Sequence, residues 1–439
     1  MIKVCKFGGT SMADAKAIRQ VKSIIDADKS RKYIVVSAPG KRFKEDIKIT
    51  DMLYRCYDEV MSDGTCKKSF DIIRKRFVEI VEDLGIDFDI NAVLDKTEKE
   101  IDQNKSADFA ASRGEYLSAQ VVAAFLGFEF VDAAEMIRFD SHDRLNNDYT
   151  DDKVSSRLEC VEYAVIPGFY GKNFQGNIKT FSRGGSDITG SIIARGVKAD
   201  LYENWTDVSG FLVCDPRIVP EARVIKQITY KEVRELSYMG ASVLHAEAIT
   251  PVMKRRIPIN IKNTFKPEDK GTMIVPNEQY KVEENQSVIT GIAGKKNFTV
   301  LLLEKSMMNA EVGFIRRVLS VVEHYGMCVE HLPSGVDTLS VVLESEQLKG
   351  GVLSEMVNEI RENVNPDYVH VIENISLIAT VGHGMAMRPG TAATLFNALA
   401  KENINIRMID QGSSELNIII GVANSDYEKC IKAIYNAFN

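Results

Sequence analysis

At 439 residues, with 45% hydrophobic and 27% charged side chains, the chain has the composition of a globular protein with room for two or three domains. A net charge of −7 argues against a general nucleic-acid binder but not against an anionic small substrate, since local charge decides that. Seven scattered cysteines without metal-ligand spacing read as buried reduced thiols, no apolar run is long enough to span a membrane, and no apolar region follows Met1, so the expectation is a cytoplasmic chain with no signal peptide.

In chain order, residues 2–11 read I-K-V-C-K-F-G-G-T-S. Alternating apolar residues predict a strand, Gly8 and Gly9 a turn that brings backbone close to a ligand, and Thr10 and Ser11 the cap of an amphipathic helix carrying Ile18, Val21, Ile24 and Ile25. A strand, a glycine turn and a helix N-terminus make an anion site, and Lys6 sets a positive charge beside it. Taken alone, the motif fits an ordinary tight turn as well. A second buried strand spans 32–37 and ends in Ser37-Ala38-Pro39-Gly40. The charged run 41–48 reads as a solvated loop. Helical patterns follow at 49–61, 66–84, 90–103 and 109–126, then a strand at 161–166.

Residues 180–187, T-F-S-R-G-G-S-D, place two more glycines before a helix at 188–194. Arg183 can grip a carboxylate or phosphate bidentately. Asp187 reads equally well as a helix cap or as a carboxylate facing Lys6 across the phosphate site. A strand at 201–205 carries Thr206-Asp207 at its C-terminal end, where ligands gather in open α/β sheets. The following D-V-S-G and D-P-R segments read, by themselves, as ordinary turns. Alternating strands and helices through the first ~280 residues predict an α/β domain with a mostly parallel sheet.

From about residue 285 the sequence repeats itself with a constant offset: 312–322 matches 389–399 and 329–343 matches 406–420, and Gly335 pairs with Gly412. Strands at 298–303 and 376–381 precede the copies, and each reads as helix, strand, turn, strand and second helix, the last at 345–363 and 425–437. The pattern is βαββαβ.

K-F-G-G-T-S at 6–11, V-V-S-A at 35–38, I-T-D-M-L at 49–53, S-R-G-E-Y-L-S-A at 112–119, S-R-G-G-S-D at 182–187, W-T-D-V-S-G at 205–210 and D-P-R at 215–217 occur in the order and spacing of one family. So do 235–245 and I-P-I-N-I-K-N-T at 257–264. In these segments the chain resembles the aspartate kinases, within the amino acid kinase superfamily. Two departures are Ala246 where the family has proline after Leu244-His245, and the extra charge at 41–48.

The resemblance implies an amino-acid-kinase-like three-layer αβα sandwich with a mostly parallel sheet, at 1–284, followed by two ferredoxin-like ACT domains. These are expected at 285–374, completed by C-terminal residues, and at 375–439. It implies ATP-dependent phosphorylation of the L-aspartate side chain, with Mg²⁺ carried on the ATP phosphates and no protein metal site. Lys6 and Asp187 are the implied catalytic pair. Ser37, Thr50, Glu115, Phe169, Arg183 and Ser186 are implied for aspartate. Lys6, Gly8, Gly9, Thr206, Asp207, Phe211, Asp215, Arg217 and Lys262 are implied for ATP. The chemistry is consistent with the residues, because a carboxylate nucleophile is already ionised near neutral pH and needs charge neutralisation and alignment rather than a general base.

The ACT pair implies an amino-acid effector and a homodimer, or a dimer of dimers. Met308, Glu311, Gly313, Phe314, Val329 and Glu330 match the family's lysine site, though the family more often has Asp at 330 and a small polar residue at 311. Lysine is the expected effector and threonine the alternative. A kinase of glutamate or uridylate on the same fold is a second reading, opposed by the ACT pair and S-R-G-E. A non-catalytic sensor is a third, opposed by intact Lys6, Arg183 and Asp187. No dehydrogenase-like domain is expected beyond Asn439, and neither nucleic acid nor membrane is an expected partner.

Overall fold

The structure is a computed structural model that describes residues 1–182, 184–241, 243–281, 287–386 and 388–438. The chain divides into two compact units. The first contains 1–211, 224–233 and 242–281, and the second contains 212–223, 234–241 and 282–439.

In the first unit the strands are β1 (Lys3–Phe7), β2 (Arg31–Val36), β3 (Glu129–Phe130), β4 (Ala164–Pro167), the small hairpin β5 (Tyr170–Lys172) and β6 (Ile178–Thr180), β7 (Leu201–Thr206), β8 (Gln227–Thr229), β9 (Ile259–Asn263) and β10 (Thr272–Val275). Eight of them form one sheet in the order β3-β4-β2-β1-β7-β9-β10-β8. All neighbours are parallel except β9 and β10. Its centre is β1, which pairs Lys6 with Val35 on β2 and with Asn204 on β7.

Helices cover both sheet faces, which is why the central strands are buried along their length. Cys5, Phe7, Ile34, Val36, Val165 and Trp205 point into a core shared with α1 (Ala15–Asp26), α2 (Ile49–Asp63), α3 (Lys67–Leu84), α4 (Ile90–Asn104) and α5 (Ala107–Leu126). Short α6 (Ala133–Met136) and α7 (Asn147–Leu158) follow. The opposite face, to which the alternate residues point, receives α8 (Gly185–Gly196), packed on β1, β2 and β7. The last two helices of this part of the chain are α9 (Tyr230–Tyr238) and α10 (Thr250–Met253), and α9 straddles the division between units.

The charged run at 41–48 is a loop, as expected, but it is tied down. Asp46 accepts from Arg76, a residue only 5% exposed, at 2.7 Å, and Arg76 also donates to the carbonyls of Ala13 and Gly40.

The second unit is built on β11 (Gly291–Glu304), β12 (Thr338–Glu344), β13 (Tyr368–Val381), β14 (Met408–Asp410) and β15 (Asn417–Ala423). They form an antiparallel sheet in the order β12-β11-β13-β15-β14. The helices are α11 (Phe314–His324), α12 (Val352–Val364), α13 (Thr391–Lys401) and α14 (Tyr427–Phe438), two per repeat. The long strands explain how the repeats interlock. The C-terminal half of β11 pairs with β12 of the first repeat, whereas Gly291–Lys295 at its start pair with Leu377–Val381 of the second. The second repeat therefore draws a strand from residues that precede the first. The strand expected at 329–330 is irregular: it meets β12 through isolated bridges at His331 and Ser334.

Candidate active site

Lys6 and Asp187 meet. Their Nζ–Oδ1 distance is 2.6 Å, with the lysine 8% exposed and the aspartate half-buried. Local backbone explains the aspartate's direction. Gly184 takes the N-cap position of α8 in the left-handed region, φ 60°, and has no side chain to cap the helix. The helix thus starts at Gly185, three residues earlier than the apolar pattern predicts, and Asp187 lies inside the first turn rather than capping it. Its carboxylate serves Lys6 instead, at the positive end of α8.

The glycines of the first turn have a packing role visible in the backbone. Gly40 N–H donates to Gly9 O at 2.8 Å, and a Cβ on Gly40 would stand 2.7 Å from Gly9 C. Gly8 N–H donates to Trp205 O at 3.0 Å. Thr10 Oγ1 donates to Asp207 Oδ2 at 3.2 Å, and Ser11 shares a 2.8 Å hydrogen bond with Thr264. The two ends of β1 and β7 are thereby fastened into one rim, with Lys6 beneath it.

Glu115 lies on α5, 5% exposed. Gly114 lets it get there, since a Cβ at 114 would stand 2.7 Å from the Ala38 side chain. Burial pushes the Glu115 carboxyl up to about 8, partly offset by backbone donation from Ala38 and by the Lys6 and Arg113 charges. Its Oε2 is buried without a hydrogen-bond partner among the described residues. The motifs V-V-S-A and S-R-G-E are therefore adjacent in space. Thr50 sits in the first turn of α2, half-buried, and Ser37 N–H donates to Phe7 O at 3.1 Å.

Phe169 is a non-glycine residue at φ +80°. Its N–H donates to Thr189 Oγ1 at 3.0 Å, and its ring fills the space over Gly185, where a Cβ would come within 2.5 Å of it. A strained residue held this firmly marks a place where side-chain direction matters. Ser186 is buried, packed against Gly168. Arg183 lies outside the described residues. A cavity of about 760 Å³ is bounded by Tyr54 and Asp108 on the α2–α5 side and by Lys179, Phe181, Ser182 and Ile188.

Of the residues expected at the nucleotide, Thr206, Asp207 and Lys262 cluster at the C-terminal ends of β7 and β9. Asp207 accepts from both Thr10 and Thr206. The Lys262 ammonium lies 5.1 Å from the centre of the Trp205 ring, and burial lowers its pKa. Phe211 is a core residue, 1% exposed, whose N–H donates to Thr272. Asp215 and Arg217 belong to the second unit, where they pair with each other at 2.6 Å.

Sequence reasoning missed three buried residues. Tyr202 and Asn204 both contact Asp187. Arg113, 4% exposed, stands over the rings of Phe109, Tyr116 and Tyr170 at 4.3–5.4 Å. The run Tyr202-Glu203-Asn204, three polar groups in a buried strand, was the available signal.

In the second unit, Met308 and Phe314 pack into the core of the first repeat, Gly313 caps α11 at φ +82°, and Glu311 pairs with Arg317. Val329 packs against the same core. Glu330 is half-buried; its N–H donates to Val342 O at 2.9 Å, and its carboxylate adds to the burial that raises the Tyr238 pKa.

The amino acid kinase family model matches residues 1–263, and an ACT domain model matches 378–438. Aspartokinase 3 of Bacillus subtilis (strain 168) is 35% identical over 451 residues, covering 100% of this chain and 98% of that protein. The chain belongs to the amino acid kinase family and, within it, to the aspartokinases. Among solved structures, this aspartokinase resembles the aspartate kinase of Clostridium acetobutylicum, at 53% identity, TM-score 0.91 and full coverage of both chains. It also resembles E. coli aspartokinase III in complex with lysine and aspartate in the T-state, at 25% identity, TM-score 0.74 and full coverage of both chains.

Proposed function

We propose that this aspartokinase transfers the γ-phosphoryl group of ATP to the side-chain carboxylate of L-aspartate, giving 4-phospho-L-aspartate and ADP. A carboxylate oxygen bonds to the γ-phosphorus as the bond to the ADP oxygen breaks, and no proton need move. The observation that carries the reading is the Lys6–Asp187 pair at 2.6 Å beneath the glycine turn. Lys6 supplies a fixed positive charge where two anions must approach, and Asp187 holds that charge in place. Gly8, Gly9, Thr206, Asp207 and Lys262 are assigned to ATP, with Phe211 behind them in the core and with Asp215 and Arg217.

The same reading assigns Glu115 to the α-ammonium of aspartate. Its Oε2 lacks a partner among the described residues, and a cation would supply one. Arg183 is assigned to the α-carboxylate, and Ser37, Thr50, Phe169 and Ser186 to the walls. Mg²⁺ is assigned to the ATP phosphates, the usual way this ion enters a phosphoryl-transfer site. The ACT repeats are assigned an amino-acid effector, lysine before threonine, at Met308, Glu311, Gly313, Phe314, Val329 and Glu330. The E. coli relative in complex with lysine and aspartate supports that order. No helix among the described residues is long and apolar enough to cross a membrane. A cytoplasmic homodimer joined through the ACT repeats completes the proposal, with the kinase at 1–284 and the repeats at 285–374 and 375–439.

A hydroxylamine trap for acyl phosphate tests the reaction, with Mg·ATP and aspartate, glutamate or no acceptor. Aspartyl hydroxamate is expected with aspartate alone, and its absence removes the proposal. Lys6→Ala should lose turnover on the order of 10²–10³-fold while an ATP analogue still binds.

A further inference from the structure

We propose that Asn204 is a positioning residue for phosphoryl transfer, which with Tyr202 fixes the Asp187 carboxylate that holds Lys6. The proposal rests on the reading of Lys6 and Asp187 as the transfer pair. Asn204 lies in the middle of β7, 2% exposed, in register with Lys6 on one side and Ile261 on the other. Its Nδ2 donates to Asp187 Oδ1 at 2.9 Å, the same oxygen that meets Lys6 Nζ at 2.6 Å. Tyr202, fully buried two residues earlier on the same face, donates its hydroxyl to the Asp187 carbonyl at 3.0 Å. The Asn204 amide lies 3.4 Å from that hydroxyl. Backbone and side chain of Asp187 are thus held from one strand. Tyr202 is itself lodged against α8, since a Cβ on Gly190 would come within 2.6 Å of its hydroxyl.

The chemistry explains an amide at this point. A neutral donor satisfies Oδ1 without adding charge, so the ion pair stays neutral overall and Lys6 keeps its charge for an incoming anion. A second cation would compete for Asp187, and an apolar side chain would leave the carboxylate free to turn. The polar and charged groups facing Asn204 are Lys6 from β1, Asp187 from α8 and Tyr202 from β7, while β9 offers Ile261. Glu203, with Arg31, Lys3 and Cys5, belongs to the other face of the sheet.

Asn204→Leu and Asn204→Asp in the full chain test the role by hydroxamate formation across pH, with aspartate affinity measured by calorimetry. Asn204→Leu should lower kcat roughly 10- to 100-fold, with the KM values for aspartate and ATP within about threefold of wild type. Asn204→Asp places two carboxyls at hydrogen-bond distance, which share a proton. The protonated form donates to Asp187 as the amide does, so this variant should be active at the acid end and lose kcat as pH rises, along a limb absent from wild type and from Asn204→Leu. A wild-type kcat in Asn204→Leu, a pH profile of Asn204→Asp parallel to wild type, or loss of aspartate affinity together with turnover in both variants overturns the proposal. Lys6→Ala separates this from failure of the site reading. If Lys6→Ala keeps wild-type turnover, the transfer pair itself is wrong. If Lys6→Ala is inactive and Asn204→Leu is not, only the role of Asn204 falls.

Discussion

Glu115 is held protonated by burial up to about pH 8, although an exposed glutamate titrates near 4.5. The folded chain therefore binds this proton more tightly than the unfolded chain does. The stability it contributes is complete below about pH 4.5 and is lost as pH rises through about 8, a difference on the order of a few kcal/mol. Urea unfolding between pH 5 and 8.5 should show that decline, and Glu115→Gln should flatten it. An α-ammonium beside Oε2 favours the ionised form, so aspartate binding near pH 7 should release a proton. Calorimetry in two buffers of different ionisation enthalpy reads that release directly, and Glu115→Gln should abolish it. Equal proton release in both forms would remove Glu115 from the substrate site. The family motif pointed to Glu115, but the residue pattern alone did not. It sits in a helix whose burial nearly all round, Ala110 through Ala123, becomes visible only when Gly114 is seen against Ala38. Asn204 was still harder to find, because only register places it beside Lys6.

At the scale of elements, the sites depend on how closely turns can approach. The turns after β1 and β2 touch through backbone alone, at Gly9 and Gly40. Gly40→Ala would set a Cβ 2.8 Å from Gly9 O and 2.9 Å from Thr10 N, so the glycine turn must shift. A cost of about 1–3 kcal/mol in stability is expected. Misplacing the turn should also cut turnover by up to about 10²-fold. Gly412→Ala is the control, since nothing lies within 4 Å of its added Cβ, and it should change stability by less than about 0.5 kcal/mol. Unfolding midpoints and kcat of the two variants check the contrast, and equal behaviour would refute the close-approach account. Most elements were legible here because their periodicity is strong: the α1 stripe, the buried strands β1, β2 and β7, and the offset repeat. What the pattern did not give is long-range pairing. The first half of β11 joins the second repeat, a pairing that sequence reasoning did not assign. Hydrophobic alternation along β11 is the same whichever neighbour it has, so only the ladder decides.

For the whole molecule the question is how an effector in the second unit is read by the kinase, and α9 is the element common to both. It begins at Tyr230 in the first unit, and its later residues belong to the second. There Glu235 accepts from Asn417 Nδ2 at 2.7 Å, and Tyr238 is coupled electrostatically to Glu330, the acid assigned to the effector's ammonium. Burial and the Glu330 charge together raise the Tyr238 pKa, so the phenol stays a donor throughout the physiological range. Lysine and Tyr238 would then compete for one carboxylate. An ammonium is the stronger partner, and taking Glu330 would remove the Tyr238–Glu330 coupling at the end of α9. Lysine is accordingly expected to lower turnover in the full chain. Glu330→Ala should raise the half-inhibitory lysine concentration at least roughly tenfold, the loss of one charge-assisted bond. Tyr238→Phe removes the competitor without touching the acid, so its half-inhibitory concentration should fall below wild type. Hydroxamate assays titrated with lysine, with threonine and with both read all three forms. Inhibition by threonine alone would reassign the effector. Identical lysine curves for wild type and Glu330→Ala would take Glu330 out of the effector site, and a Tyr238→Phe curve unchanged from wild type would break the link through α9.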